Sequence, residues 1–372
     1  MISINPGHVY YQYALKAKMR MLHAIRRTLA ALVIFGAPAV LLAAAVLLVA
    51  AMPVLADTTV TFIDVGQGDS IWIHDTTGHD VLIDAGEAQY SDEVLQALEN
   101  VPDLDVVVWT HAHSDHIGGL LDVLEAKPVH QIYYNGYDYN SVTFNDLWDL
   151  IIGFKIPEQS AHRGATYTWG ECTATVLHPD REYINVNNSS VVIKLTCGQM
   201  DFLLLGDAEL EAENSMLDAG LPLDAEIIKL GHHGSNTSNH AILLNAVNPQ
   251  VAVISVGAVN DYGHPSRVVL DRLADRGIRT YRTDQDGTIA IHTNGTSYWV
   301  VTEKGGASLP LPMYLRGPGG VARPPAPTAT PTIVPTSTPT VAPTSTPTPP
   351  ASTDGGGLVY ITNSGTKYHR SG

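Results

Sequence analysis

An apolar, β-branched run, DVVVWT, ends at residue 110 and is followed at once by His111-Ala-His113-Ser-Asp115-His116. Four potential metal ligands in six residues, at the end of a strand and the start of a helical pattern, have few structural uses. Burying imidazoles and a carboxylate unpaired is costly, whereas a bound cation satisfies all of them together. Whatever fold the chain adopts must bring this turn to a place where further ligands converge on it.

The pattern around the turn supports that demand. TVTFIDV and DVLIDAG read as strands ahead of it, and Ser91 to Asn100 and Asp115 to Ala126 carry helical spacing. The arrangement then recurs: strands TATVLHP, VVIKLTC and DFLLLGD, a helix near 208–219, strand EIIKLGH, a helix near 238–247, strand VAVISVG and a helix near 266–276. Two β-rich halves, each carrying helices, predict a layered α/β sandwich with sheets inside and helices outside. Polar residues stand directly after apolar strands: Asp84 after VLI, Asp207 after FLLLG, His232 and His233 after IIKLG. Strand ends hold side chains on rigid supports, which is what a preorganised site requires. With 16 histidines and only 2 cysteines, a metal in this chain draws on imidazole and carboxylate rather than thiolate.

The flanks read differently. Five basic residues precede 28 uncharged residues from Leu29 to Ala56, a targeting segment that acts either as a cleaved signal, with Val54-Leu55-Ala56 before the cut, or as a membrane anchor. In both cases residues from Asp57 onward are expected outside the cytoplasm. Residues 57–322 are expected to form the catalytic domain. Residues 323–357 are a Pro/Thr-rich linker, of which Pro324 to Thr353 reaches on the order of 90 Å in polyproline-II form. Residues 358–372 are a short tail, either a truncated module or a disordered end. Cys172 and Cys197 flank consecutive strands, so a disulfide suited to an external compartment and two buried thiols are both open.

The segment THAHSDHIGG resembles the signature of the metallo-β-lactamase superfamily. FIDVGQGDSIWI (62–73), NNSSVVIKL (187–195), LLLGDAE (203–209), KLGHHGS (229–235) and YRTDQDGTI (281–289) resemble, within it, the extracytoplasmic domain of the ComEC family of DNA-internalisation competence proteins. The likeness covers about residues 58–302 and none of the multi-helix channel region of that family. It implies an αββα sandwich with two divalent metal ions, zinc or manganese, at its mouth. His111 and His113 would hold one ion, Asp115 and His116 the other, with Asp207 bridging and His232 as the remaining ligand. His233 or His264 would be catalytic beside Asp115, and His264 is also a rival for the His232 position. Asp84 would orient a ligand histidine. Where most of the superfamily carries a third histidine on the first metal, this chain has Asn188, so that site is weaker, takes a harder metal or recruits His178.

The same resemblance implies hydrolysis of a phosphodiester, DNA above all, by water activated between the two cations. Charge constrains the contact. Residues 57–322 carry 13 Lys and Arg against 36 Asp and Glu, so any nucleic-acid contact must be local. Arg272, Arg276 and Arg279 recur at helical spacing and are candidate phosphate contacts; the alternative is a solvated helix face paired with Asp271 and Asp275. Tyr133, Tyr134, Tyr137 and Tyr139 are candidates either for stacking at the mouth or for packing. Two other functions stay open at this point: hydrolysis of a small ester, lactone or β-lactam, and a non-catalytic surface-tethered binding module. No feature identifies a protein partner, and a membrane contact is expected only through the N-terminal segment if it is uncleaved.

Overall fold

The structure is a computed structural model that describes residues 57–307 and 311–312. The targeting segment, the Pro/Thr-rich linker and the tail lie outside the described residues. Among the described residues no helix is long and apolar enough to cross a membrane.

The first half contains β1 (Thr58–Phe62), β2 (Ser70–Asp75), β3 (Asp80–Ala85), α1 (Ser91–Ala97), β4 (Val106–Val108), α2 (Ser114–Ile117), α3 (Leu120–Ala126), β5 (Ile132–Tyr134), α4 (Val142–Phe154) and β6 (Glu158–Ser160). There follow β7 (Thr166–Trp169), β8 (Cys172–His178), β9 (Val192–Cys197), β10 (Met200–Leu204), α5 (Leu210–Asp218), β11 (Ile227–Lys229), α6 (Ala241–Val247), β12 (Val251–Ile254), α7 (Arg267–Asp275), β13 (Arg279–Arg282) and α8 (Thr283–Asp286). The chain closes with β14 (Ile289–Thr293), β15 (Ser297–Thr302), β16 (Gly306–Ala307) and β17 (Leu311–Pro312).

These strands form two sheets. The first runs β16-β15-β14-β1-β2-β3-β4-β5-β6, with β17 beside β15, and the second runs β13-β12-β11-β10-β9-β8-β7. In each sheet an antiparallel part gives way to a parallel one: β3, β4, β5 and β6 in the first, β10, β11, β12 and β13 in the second. Parallel strands need crossover helices, and those helices cover the outer faces.

The alternation of side chains builds the layers. Val81 and Ile83 of β3, Val106 and Val108 of β4, Phe202 and Leu204 of β10, and Val251 and Val253 of β12 meet between the sheets. Their neighbours Leu82 and Val107 face outward with Val94, Leu120 and Leu147 of the first helical layer. Leu203, Ala252 and Ile254 face Met216, Leu244 and Leu273 of the second. This is the αββα sandwich expected from the sequence, with the central strands β3, β4, β11 and β12 buried on both faces and so mostly apolar.

Two local expectations are corrected and one left open is decided. The helix expected over Asp115 to Ala126 is two helices, α2 and α3, broken at Gly118-Gly119, where a Cβ on Gly119 would run into the Ala85 carbonyl. Tyr133 and Tyr134 lie within β5 and pack, Tyr134 against Trp109 and Tyr133 against Tyr167, with ring centroids 5.1 and 4.0 Å apart. Arg279 opens β13 rather than extending the helical row of Arg272 and Arg276.

Cys172 and Cys197 face each other across β8 and β9 and form a disulfide, with Cα atoms 4.4 Å apart. The bond closes a loop with a sequence separation of 25. Replacing both cysteines by serine should cost about 3 kcal/mol of stability. Urea denaturation of the oxidised chain, the reduced chain and the double variant checks this; equal midpoints for oxidised and reduced chain would refute it.

Candidate metal centre

Asp84 lies at the carboxyl end of β3, and His111, Asp207, His232 and His233 follow the carboxyl ends of β4, β10 and β11, which is where open α/β sheets gather their ligand sites. The local backbone is unusual. Asp84, His232 and His233 all have left-handed φ values, 55°, 49° and 51°. Side chains other than glycine rarely adopt that region, and residues held there cluster at functional sites. A tight approach explains part of the GQGDS segment: a Cβ on Gly68 would strike the carbonyl of Asp115.

Asp115, His116, Asp207 and His233 each present a ligand atom, all within 4.8 Å of one another. Asp207 is the hub. One or other of its carboxylate oxygens stands 3.3 Å from His116 Nε2, 3.5 Å from His233 Nε2, 3.8 Å from His232 Nε2 and 3.9 Å from His111 Nε2. His111 Nε2 in turn lies 3.0 Å from His113 Nδ1. His116 and, through a longer contact, His111 with His113 behind it therefore approach one carboxylate.

Hydrogen bonds behind the imidazoles set their tautomers. His116 Nδ1 donates to Asp84 Oδ2 at 2.7 Å, which turns Nε2 towards Asp207. Asp84 also accepts the Thr110 N–H and hydroxyl, both at 2.7 Å, and the Thr110 oxygen lies 3.2 Å from His111 Nδ1. One buried carboxylate thus orients His116 directly and His111 through Thr110, as carboxylates behind metal-binding histidines do. His233 Nδ1 donates to the Ser255 carbonyl at 3.0 Å, leaving Nε2 free to face Asp115 and Asp207.

The resemblance implies His232 as a ligand and His233 as a catalytic group; in the structure it is His233 that joins the tight cluster, while His232 Nε2 stands 3.8 Å from Asp207 outside it. His233 is buried and completes the tight set, whereas His232 Nδ1 turns to Glu209 at 2.9 Å and its ring lies at the cleft. His264 stands beside His232, ring centroids 5.4 Å apart, and does not enter the set. Asn188 and His178 are engaged elsewhere. Asn188 Oδ1 accepts the N–H groups of Glu209 and Ala212, both at 3.1 Å, and so caps α5 from outside the helix. His178 Nε2 donates to the Asn188 carbonyl at 2.7 Å.

Sequence reasoning passed over Asn187, Gln67 and Tyr262. They line a cleft of about 370 Å³ together with Tyr139, Asp115, Asp207, His232 and His264. Arg272, Arg276 and Arg279 do not line it. Arg272 donates to the Asn239 carbonyl and Arg276 to Asn245 and the Arg272 carbonyl, so both guanidinium groups fasten α7 to the segment leading into α6.

Electrostatics divides the histidines. Burial drives His111 well below its ordinary value, and the charge on His116 adds to this. Burial likewise lowers His264 to about 4, with His232 and His233 contributing, so near pH 7 its ring holds no extra proton for a leaving group. His116 and His233 go the other way. Burial disfavours their charge, but Asp207 with Asp84 and Asp115 holds His116 well above its usual range, and Asp207, Asp115 and Asp69 hold His233 at about 10. A cation that takes Nε2 of either ring must displace a proton.

Two outcomes are expected. Metal affinity should rise with pH between 6 and 9, the protein releasing protons as it takes up manganese or zinc, because His233 is protonated below about 10 until a cation replaces the proton. Titration calorimetry in buffers of different ionisation enthalpy measures this, and uptake without proton release would contradict it. Asn188→Ala should lower stability by about 1 kcal/mol through loss of the cap while leaving metal stoichiometry unchanged; loss of one bound ion in that variant would make Asn188 a ligand after all.

Over 250 residues the chain is 30% identical to ComE operon protein 3 of Bacillus subtilis, covering 62% of this chain and 32% of that protein. It is 31% identical over 244 residues to competence protein ComA of Neisseria gonorrhoeae, covering 63% and 32%. The chain therefore spans about a third of the length of these curated relatives. Among solved structures, the metallo-beta-lactamase fold protein YhfI of Bacillus subtilis overlays with a TM-score of 0.41 at 12% identity, covering 61% of this chain and 95% of that one. The profile of the metallo-beta-lactamase superfamily matches residues 63–258, more than half of the sequence. With that match, and with His and Asp groups suited to holding metal ions at the mouth of the sandwich, the chain belongs to the metallo-β-lactamase superfamily of metal-dependent hydrolases.

Proposed function

We propose that the chain is an extracytoplasmic phosphodiesterase that cuts DNA at a centre of two divalent ions, zinc or manganese. The observation that carries this reading is the position of Asp207 between two ligand sets, His111 with His113 on one side and Asp115, His116 and His233 on the other. When bound, the two cations supply Lewis acidity and an activated water to an in-line displacement at phosphorus.

The chain's own residues prepare that step. Asp84 and the Ser255 carbonyl hold the Nδ1 protons of His116 and His233, so both rings present Nε2 to the centre in one fixed orientation. The residues lining the cleft include neither lysine nor arginine, which leaves the ions and the imidazoles to meet the phosphate charge. Tyr139 and Tyr262 stand at the cleft, Tyr262 exposed and stacked on His264 with centroids 5.7 Å apart. An exposed tyrosine, Tyr262, with the half-buried Tyr139 at the same cleft suits single-stranded nucleic acid, whose bases stack on aromatic faces without sequence preference. The names of the relatives, a competence protein among them, point to the same substrate class. The disulfide and the N-terminal apolar segment support a location outside the cytoplasm, with anchoring in the membrane if that segment is retained. A cleft without basic side chains on an acidic domain also favours a second reading, hydrolysis of a small neutral ester, lactone or β-lactam.

The test uses the purified chain, stripped of metal and reloaded with manganese or zinc, on labelled single- and double-stranded DNA and on a chromogenic β-lactam. Metal-dependent cleavage of single-stranded DNA, reduced at least a hundredfold in His111→Ala and Asp207→Ala, is expected. Intact DNA beside turnover of the β-lactam would move the function to the second reading, and a chain that takes up no metal would leave only a binding module.

A further inference from the structure

Behind the metal set lies a second group of facing polar atoms: Asp69, Asp84 and His116, all buried, present ligand atoms within 4.8 Å of one another. This group already has a cation. Lys229, the last residue of β11, is wholly buried and forms an ion pair with Asp69 Oδ2. Its Nζ also donates to the carbonyl of Gly206 at 3.1 Å. Ile227 of the same strand packs between the sheets and Ile228 packs into the helical layer, so by alternation Lys229 projects between the sheets, towards the first.

The two anchors of Lys229 sit at the roots of the site. Asp69 precedes β2; its N–H donates to the Asp115 carbonyl at 3.1 Å and its own carbonyl accepts the Gly86 N–H at 2.8 Å. Its Oδ1 lies 3.4 Å from His233 Nδ1, beside the Ser255 carbonyl that accepts the same proton. Gly206 immediately precedes Asp207, and its carbonyl also accepts the His232 N–H at 3.1 Å. One ammonium thus ties together the turns that carry Asp115, Asp207 and His233, and those turns come from both sheets. A buried ion pair is poor evidence for stability by itself, because apolar residues of similar volume often replace one without loss.

We propose that Lys229 is a positioning residue for the metal centre, a resident cation that holds Asp69 against His233 and the Gly206–Asp207 turn at the bridging position. The inference rests on the metal-centre reading above. Lys229 touches neither substrate nor ion; it acts through Asp69, His233 and Asp207. The carboxylate group behind the site is accordingly no third metal site, since the lysine fills it.

The full chain with Lys229→Met and the double variant Asp69→Asn/Lys229→Met separates positioning from simple charge balance. The single variant leaves a carboxylate buried without its partner and should lose both stability and metal affinity. The double variant removes both charges and should regain most of the stability in urea denaturation. Its affinity for manganese should nevertheless remain at least tenfold weaker than wild type by equilibrium dialysis, and its cobalt(II) absorption bands should be shifted. A double variant with wild-type affinity and spectrum would overturn the inference, as would a single variant that binds metal normally. A double variant that fails to fold would assign the pair to the fold and overturn it too. Failure of the wild-type chain to take up any cation is a different result, which removes the metal-centre reading itself.

Discussion

The structure depends on the cost of burying carboxylates. Asp69, Asp84 and Asp207 are each almost fully excluded from water, and Asp115 is largely so, at the place where two sheets and their crossover turns meet. Ionised carboxylates survive there only with cations or imidazolium groups beside them. Lys229 answers for Asp69, and Asp84 is held by His116 and Thr110. Asp115 and Asp207 have His116 and His233, which are held protonated until a cation takes their place. A protein that keeps two imidazoles charged in this way has a site ready to exchange protons for metal.

That exchange links the electrostatics to the fold. The carboxylates and histidines cannot drift apart to lower their energy, because Asp84, His111, Asp207 and His233 stand at or just past the ends of strands buried on both faces, and Asp115 and His116 follow β4 in the short helix α2. The sandwich is stiff there: β3, β4, β10, β11 and β12 interlock between the sheets through Ile83, Val108, Leu204, Ile227 and Val253. The left-handed backbone at Asp84, His232 and His233 is held by the same packing and by the polar contacts around it. In front of this packed interior the cleft is lined by Asn187, Gln67 and the exposed Tyr262.

Much of this was legible in advance. The short apolar, β-branched runs identified the central strands, and the crowding of His111, His113, Asp115 and His116 after one of them pointed to the candidate site. Other elements were hidden for physical reasons. α4 leaves Val142, Ile152 and Phe154 exposed, so its apolar spacing is blurred, although Ser141 caps it in the usual way, accepting the Phe144 N–H at 3.1 Å. β5 is short and rich in tyrosine, which reads equally well as a rim. The arginines of α7 suggested phosphate contacts by their spacing, but spacing does not say what a guanidinium faces, and Arg272 and Arg276 face backbone carbonyls.

Local sequence determined which residue types are available to the centre and which strand ends deliver them, because strand alternation and strand-terminal position are properties of short segments. It did not determine which of His232 and His233 joins the cluster of Asp115, His116 and Asp207. That choice follows from the left-handed backbone over residues 232–233 and from the Ser255 carbonyl just past the end of neighbouring β12. Nor did it show that Asn188 is spent on the start of α5, that Cys172 and Cys197 are bonded, or that Lys229 lies buried against Asp69, 160 residues away. Each is a contact between segments distant in the chain, and only the closing of two sheets over a common interior brings such partners within bonding distance.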